Sequence, residues 1–205
     1  MKVLVSLMRH PEKTSLITPD MFAGIDDVEV FTNTKTGYAN AVKFAIGAAI
    51  GKKCHLIIAD TDGYHPVRTI TELIGLAKGL DFTRVPTAVY DAGLGHMWKD
   101  GLAMVKPYRA NIGIQSEFFS FIYDIRYLTG VRDVTGGMYL MSYEFMCALG
   151  ALESEDMTIH VEIMTRALRM DCPVLQRPYR AGTNPRENSK RTKRYQLKLL
   201  GAIFR

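Results

Sequence analysis

Asp60 and Asp62 stand one residue apart at the end of a short apolar run, His55-Leu-Ile-Ile-Ala-Asp60-Thr-Asp62-Gly-Tyr-His65-Pro66. Two carboxylates at that spacing can share one hard divalent cation. Mg²⁺ and Mn²⁺ take oxygen ligands, and Mg²⁺ commonly links one or two carboxylates to substrate phosphates. The uninterrupted Leu-Ile-Ile run predicts a strand buried on both faces, as in a parallel sheet. Ligands of such sheets bind beyond the carboxyl ends of the strands. The pair therefore sits where an α/β protein does its chemistry. Spacing alone also fits a solvated acidic turn, because Asp and Gly are common turn residues.

The elements that must hold this pair are legible as strand–helix alternation, the pattern of an α/β layer fold. Lys2–Leu7 predicts a first buried strand, Thr18-Pro19-Asp20 a helix start, and Val28–Phe31 a second strand. Ala39–Ile50 has helical spacing, with Val42 and Ile46 on one face, and Gly51 ends it before the strand of Asp60. Downstream, Thr69–Gly79 predicts a helix, Pro86–Tyr90 a strand, and Asp91–Gly101, with the lone Trp98, a loop. Met104–Leu128 reads as mostly helical. Asp133–Gly137 reads as a turn before a strand at Met138–Met141, followed by helices over Glu144–Leu152 and His160–Met170 and a strand near Pro173–Arg177. Ala181–Lys190 is polar and predicts a loop. Residues 191–205 predict a basic amphipathic helix with Leu197, Leu200 and Phe204 on its apolar side. Such a helix either closes the core or lies on an anionic bilayer.

At 205 residues, with 47% hydrophobic and 23% charged residues, the chain fits one domain spanning 1–205. No apolar run reaches the length of a transmembrane helix, and the start lacks the pattern of a signal peptide. Cys54, Cys147 and Cys172 show no metal-ligand spacing and suit a reducing compartment. These features predict a cytoplasmic protein. A net charge of +5 suits anionic ligands.

Several motifs, taken in order, resemble the inverting family 2 glycosyltransferases, and within them the dolichyl-phosphate mannosyltransferase type. They are Gly37-Tyr-Ala-Asn-Ala41 opening a helix, the strand ending Asp60-Thr-Asp62 with His65-Pro66, and Asp133-Val-Thr-Gly136-Gly137. His160-Val-Glu162 and Arg186-Glu-Asn-Ser189-Lys190 complete the series, which covers about four-fifths of the chain. The resemblance implies a GT-A-type α/β fold, with a mostly parallel central sheet flanked by helices. It implies an inverting hexosyltransferase with a GDP- or UDP-linked sugar donor and Mg²⁺ or Mn²⁺ as cofactor. Asp60 and Asp62 would hold the metal and the donor diphosphate, and Glu12 would lie near the nucleoside. Asp133 and Glu162 would line the sugar and acceptor region as catalytic candidates. Arg109 would face the acceptor, and Arg186, Ser189 and Lys190 would meet phosphate. The implied acceptor is a polyprenyl phosphate or, more loosely, a glycan, with peripheral membrane contact and no nucleic-acid partner. The chain departs from the family pattern in its short N-terminal part, in Tyr64 after the Asp pair and in Tyr139 after the Gly pair.

The residues keep other readings open. A hydroxyl acceptor must lose a proton, and Asp133 is the candidate base; a phosphate acceptor is already anionic. Asp133 equally fits a turn cap beside Arg132 and Thr135. Glu162 equally fits an i,i+4 pair with Arg166. The Arg186–Lys190 loop equally fits a solvated basic surface. Two competing classes are a sugar-phosphate nucleotidyltransferase and a non-catalytic basic protein on a shortened transferase fold. The first normally opens with a Gly-rich loop, and Leu-Met-Arg9-His-Pro-Glu12 has no glycine.

Overall fold

The apolar runs assemble into one six-stranded sheet in order β2-β1-β3-β5-β4-β6. The strands are β1 (Val3–Met8), β2 (Val28–Asn33), β3 (His55–Asp60), β4 (Met104–Arg109), β5 (Tyr139–Met141) and β6 (Val174–Tyr179). The helices are α1 (Tyr38–Lys52), α2 (Val67–Gly79), α3 (Ile114–Tyr127), α4 (Tyr143–Leu149), α5 (Ile159–Arg169) and α6 (Lys193–Ile203). The structure is a computed structural model that describes residues 2–9, 14–79, 101–110, 114–181 and 193–204. The expected Pro86–Tyr90 strand, Trp98, Glu12, Arg186, Ser189 and Lys190 lie outside the described residues.

Both faces of the central strands are covered, as the uninterrupted apolar runs predict. Leu4, Leu56 and Ile58 point into one core with α1, α4 and α5, while Val3, Val5, Ile57 and Ala59 point into the other against α2. Strand periodicity makes this split, because successive side chains face opposite sides. Among the described residues of the β1–β2 crossover, the one helical element is a 3-10 turn, Pro19–Phe22, where the sequence suggested a helix start. Phe22 and Ile17 anchor it in the second core. The second strand of the N-terminal unit is present and pairs with β1 in parallel.

β1–β2, β1–β3 and β4–β6 are parallel, and β5 runs antiparallel between β3 and β4. An antiparallel strand begins at the edge where its parallel neighbours end. The segment leading into β5 is thereby delivered to the carboxyl edge of β3 and β4, beside Asp60.

The reading of Met104–Leu128 as mostly helical is corrected: Met104–Arg109 is a strand, and the helix starts at Ile114. Pro107 would break a helix interior. The strand accepts it because β5 pairs only with Met104 and Val105, leaving β4 a neighbour on one side at Pro107. The apolar side assigned to the last helix is also corrected. Leu199 and Ile203 are buried against α3 and α5, and Leu197 and Phe204 face outward.

Candidate active site

Asp60 ends β3, in register with Met8 of β1. Thr61 continues the chain by donating its N–H to the Met8 carbonyl (3.1 Å), and the Leu16 N–H donates to the Thr61 carbonyl (2.7 Å). Asp62 is buried, and its Oδ1 accepts the Tyr64 N–H at 3.1 Å. That short-range bond is an Asx-type turn, which fixes the carboxylate against its own backbone. His65 is buried beneath the turn and its Nδ1 accepts the Asp60 N–H at 2.7 Å. The His65 ring also packs edge-on to Tyr179 at the end of β6. The Asp-x-Asp segment is thus held from both sides.

A second constellation meets it. Asp133 is fully buried, at φ +50°, in the segment that enters β5. Its two oxygens accept Arg109 Nε and Nη2, each at 2.7 Å, a bidentate fork. Arg109 Nη1 donates to the Tyr64 hydroxyl, and the guanidinium lies over the Tyr64 ring. A continuous array therefore runs Asp62–Tyr64–Arg109–Asp133. Lys106, fully buried on β4, donates to the Gly136 carbonyl at 2.6 Å and lies over the Tyr139 ring.

The electrostatics follow from this packing. Burial pushes the Asp133 carboxyl up, but the Arg109 hydrogen bonds and the charges of Lys106 and Arg109 more than reverse it, and its pKa falls below the usual range. Burial lowers the Lys106 ammonium to about 8, against the pull of Asp133. Arg109 stays charged: burial opposes it, and the fork to Asp133 more than compensates.

Lys106 gives a pH test. Its folded pKa of about 8 lies below the ordinary lysine value, so between the two the unfolded chain binds more protons. Its contribution to stability is least favourable below pH 8 and improves as pH rises towards the ordinary value. Urea melts of wild type and Lys106→Met should show the wild type gaining on the order of 3 kcal/mol relative to the variant over that window. A constant difference across it would refute the burial argument.

The glycine pair is explained by space. A Cβ on Gly136 would sit 2.8 Å from Asp133 Oδ2, and one on Gly137 would sit 2.5 Å from the Tyr38 hydroxyl oxygen and 3.3 Å from His160 Nε2. Gly137→Ala should cost about 1–3 kcal/mol of stability. Tyr38→Phe, which removes the clashing oxygen, should recover part of that in the double variant, read by thermal melts.

Asp60, Asp62, Arg109 and Asp133 are brought together. Glu162 takes a different place. It pairs with Arg166 at 2.6 Å and accepts the N–H groups of Glu153 and Ser154, each at 2.8 Å. Burial raises its pKa, and those amide donors and Arg166 more than offset this, leaving it lowered. Arg166 also donates to the Leu149 carbonyl, so the pair clamps the α4–α5 connection. Residue reading missed Lys106, because its segment looked helical. Tyr64 stood out only as a departure from the family pattern. The usable signal for Lys106 was Pro107, which argues against a helix interior.

Asp60 and Asp62 suit a divalent cation on chemical grounds. Two neighbouring carboxylates, one of them oriented by its own turn, offer the oxygen donors that a hard cation prefers. Among the described residues, no group of three or more His, Cys, Asp or Glu forms a self-sufficient metal site.

No protein-family model matches this sequence, and no curated protein matches it by sequence. Solved structures do match. Glucosyl-3-phosphoglycerate synthase from Mycobacterium tuberculosis, in complex with Mg²⁺ and uridine-diphosphate, is similar with a TM-score of 0.65 at 10% identity, over 99% of this chain and 78% of that one. The same protein with Mn²⁺, UDP-glucose and phosphoglyceric acid gives 0.63 at 11%, over 99% and 79%. With Mn²⁺, UDP-glucose and glycerol 3-phosphate it gives 0.64 at 9%, over 99% and 79%. The fold is the GT-A type, and the likeness at this identity is one of fold.

Proposed function

We propose that this chain is a metal-dependent glycosyltransferase that moves a hexose from a UDP-linked donor to an acceptor phosphate, with inversion. The observation that carries the reading is the Asp60–Asp62 pair at the carboxyl edge of a GT-A sheet, tied through Tyr64 to Arg109 and Asp133. The uridine preference is drawn from the structural neighbours, which bind UDP and UDP-glucose.

Asp60 and Asp62 are the residues that would hold Mg²⁺ or Mn²⁺. A cation held there would supply Lewis-acid stabilisation to the departing diphosphate. Arg109, locked by Asp133 and Tyr64, presents a preoriented positive charge beside the carboxylate pair and loses little freedom when a substrate binds. Asp133 has both oxygens on Arg109 and a lowered pKa, so it is a poor proton acceptor. Its role in this reading is to position Arg109. That favours a phosphate acceptor, which arrives ionised and needs no base. A phosphate oxygen attacks the anomeric carbon from the face opposite UDP, the sugar–diphosphate bond breaks, and UDP leaves with its electron pair. A polyprenyl phosphate meets this requirement.

A thermal-shift panel of UDP, GDP, ADP and their sugar conjugates, with and without Mn²⁺, tests the reading. A ligand of the folded state raises the melting temperature with occupancy. The expected result is a Mn²⁺-dependent shift with UDP and UDP-glucose. No shift with any nucleotide would overturn the proposal and favour a non-catalytic protein.

A further inference from the structure

Tyr64 is placed by the turn that follows the carboxylate pair. Gly63 takes φ +78°, a conformation that glycine adopts readily, and the Tyr64 N–H then meets Asp62 Oδ1 at 3.1 Å. That bond belongs to the backbone, so it survives a change of rotamer in the Tyr64 side chain. The ring is half-buried and reaches β4. There its hydroxyl accepts Arg109 Nη1, and its centroid lies 5.2 Å from the guanidinium carbon.

A guanidinium carries five N–H donors. Arg109 gives Nε and one Nη2 donor to Asp133, each at 2.7 Å, and the other Nη2 donor to Ser116 at 3.3 Å. Tyr64 takes one of the two on Nη1. Asp133 and Ser116 therefore fix the plane of Arg109 without help from the Tyr64 hydroxyl. What that hydroxyl adds is cover over Nη1, the nitrogen that Asp133 leaves for a substrate.

The cover discriminates by charge. A bond from guanidinium to a phosphate oxygen joins opposite charges and is stronger than one to a neutral oxygen. A phosphate can therefore take Nη1 from the phenol, whereas a neutral hydroxyl only replaces like with like. We propose that Tyr64 is a specificity-determining residue: its hydroxyl is a built-in competitor on Arg109 that a substrate phosphate displaces and a neutral hydroxyl does not. This inference rests on the phosphate-acceptor reading above and concerns the position where the chain departs from the family pattern.

The side of approach fits. Tyr64 follows the Asp60–Asp62 pair directly, so its hydroxyl stands between the carboxylates of the metal site and Arg109. A cleft of about 460 Å³ also reaches Arg109, but Glu117 and Asp124 line it beside Arg132, and those carboxylates oppose a phosphate. The route through Tyr64 is the one on which Arg109 meets a phosphate close to a donor held at Asp60 and Asp62.

The test is calorimetric titration of the full chain with methyl phosphate, in wild type, Tyr64→Phe and Arg109→Gln. Tyr64→Phe keeps the backbone bond to Asp62 and the ring against Arg109, and should melt within a few degrees of wild type. It should bind methyl phosphate about tenfold more tightly, because the competitor is gone. Unchanged or weaker binding overturns the proposal, since the hydroxyl would then steady Arg109 instead of covering it. Binding retained in Arg109→Gln places the phosphate elsewhere and overturns it too. A second measurement needs no variant: in wild type, methyl phosphate should shift the Tyr64 ring resonances and glycerol should not. A ring that ignores both, or answers both alike, overturns the proposal. The Mn²⁺-dependent UDP shift is read on the same samples. Its absence in wild type strikes the transferase reading, whereas its presence with unchanged phosphate binding strikes only the role given to Tyr64.

Discussion

Asp62→Asn should abolish the Mn²⁺-dependent thermal shift with UDP while leaving the fold intact. The amide keeps an oxygen for the Tyr64 N–H, so the turn that orients position 62 survives. What it loses is the charge. A single carboxylate at Asp60 is a poor site for a hard cation, and the diphosphate then lacks its stabilising partner. The expected loss in transfer rate is about 10³-fold, equivalent to several kcal/mol of transition-state stabilisation. Apo melting temperatures of variant and wild type should agree within a few degrees. A variant that keeps the metal-dependent UDP shift would remove Asp62 from the site and with it the basis of the proposed function.

The largest effect on stability is expected at Asp133. It is fully buried and holds Arg109 through both oxygens, with Lys106 behind it. Asp133→Ala would leave two buried cations without their counter-charge. Breaking a buried pair in this way costs about 3–5 kcal/mol. For a chain of this size that lowers the melting temperature on the order of 10 °C. Asp133→Ala/Arg109→Met should recover part of the loss, because the second change removes one of the stranded charges. The sign of the pH dependence is fixed by the lowered pKa of Asp133. Its stabilisation is present above the ordinary carboxylate pKa and is lost as pH falls through the folded value. Wild type and Asp133→Ala should therefore converge in acid. Urea melts across the acid limb decide this. A cost below about 1 kcal/mol at neutral pH would show the fork to be dispensable.

Local pattern carried a definite part of this structure. The apolar runs of β1 and β3, the helix of α1 and the Asp60–Asp62 pair all follow from contiguous residues, and each forms close to where its sequence places it. Their information is short-range: an unbroken apolar run is a doubly buried strand, and a strand end is where an α/β sheet exposes polar groups. The same logic fails at Met104–Arg109, where the apolar and aromatic stretch downstream suggests helix while Pro107 and pairing with β6 make the segment a strand.

The sequence by itself determined the α/β class and the strand that presents the carboxylate pair. Tertiary structure alone decided what surrounds that pair. Tyr64 meets Arg109 across 45 residues, Arg109 meets Asp133 across 24, and Lys106 meets Gly136 across 30. It also decided that Glu162 clamps a helix connection. The physical reason is the antiparallel insertion of β5 between β3 and β4. Strand pairing across a sheet depends on burial and hydrogen bonding between distant segments, and that insertion carries Asp133 to the edge where Asp60 and Arg109 end their strands.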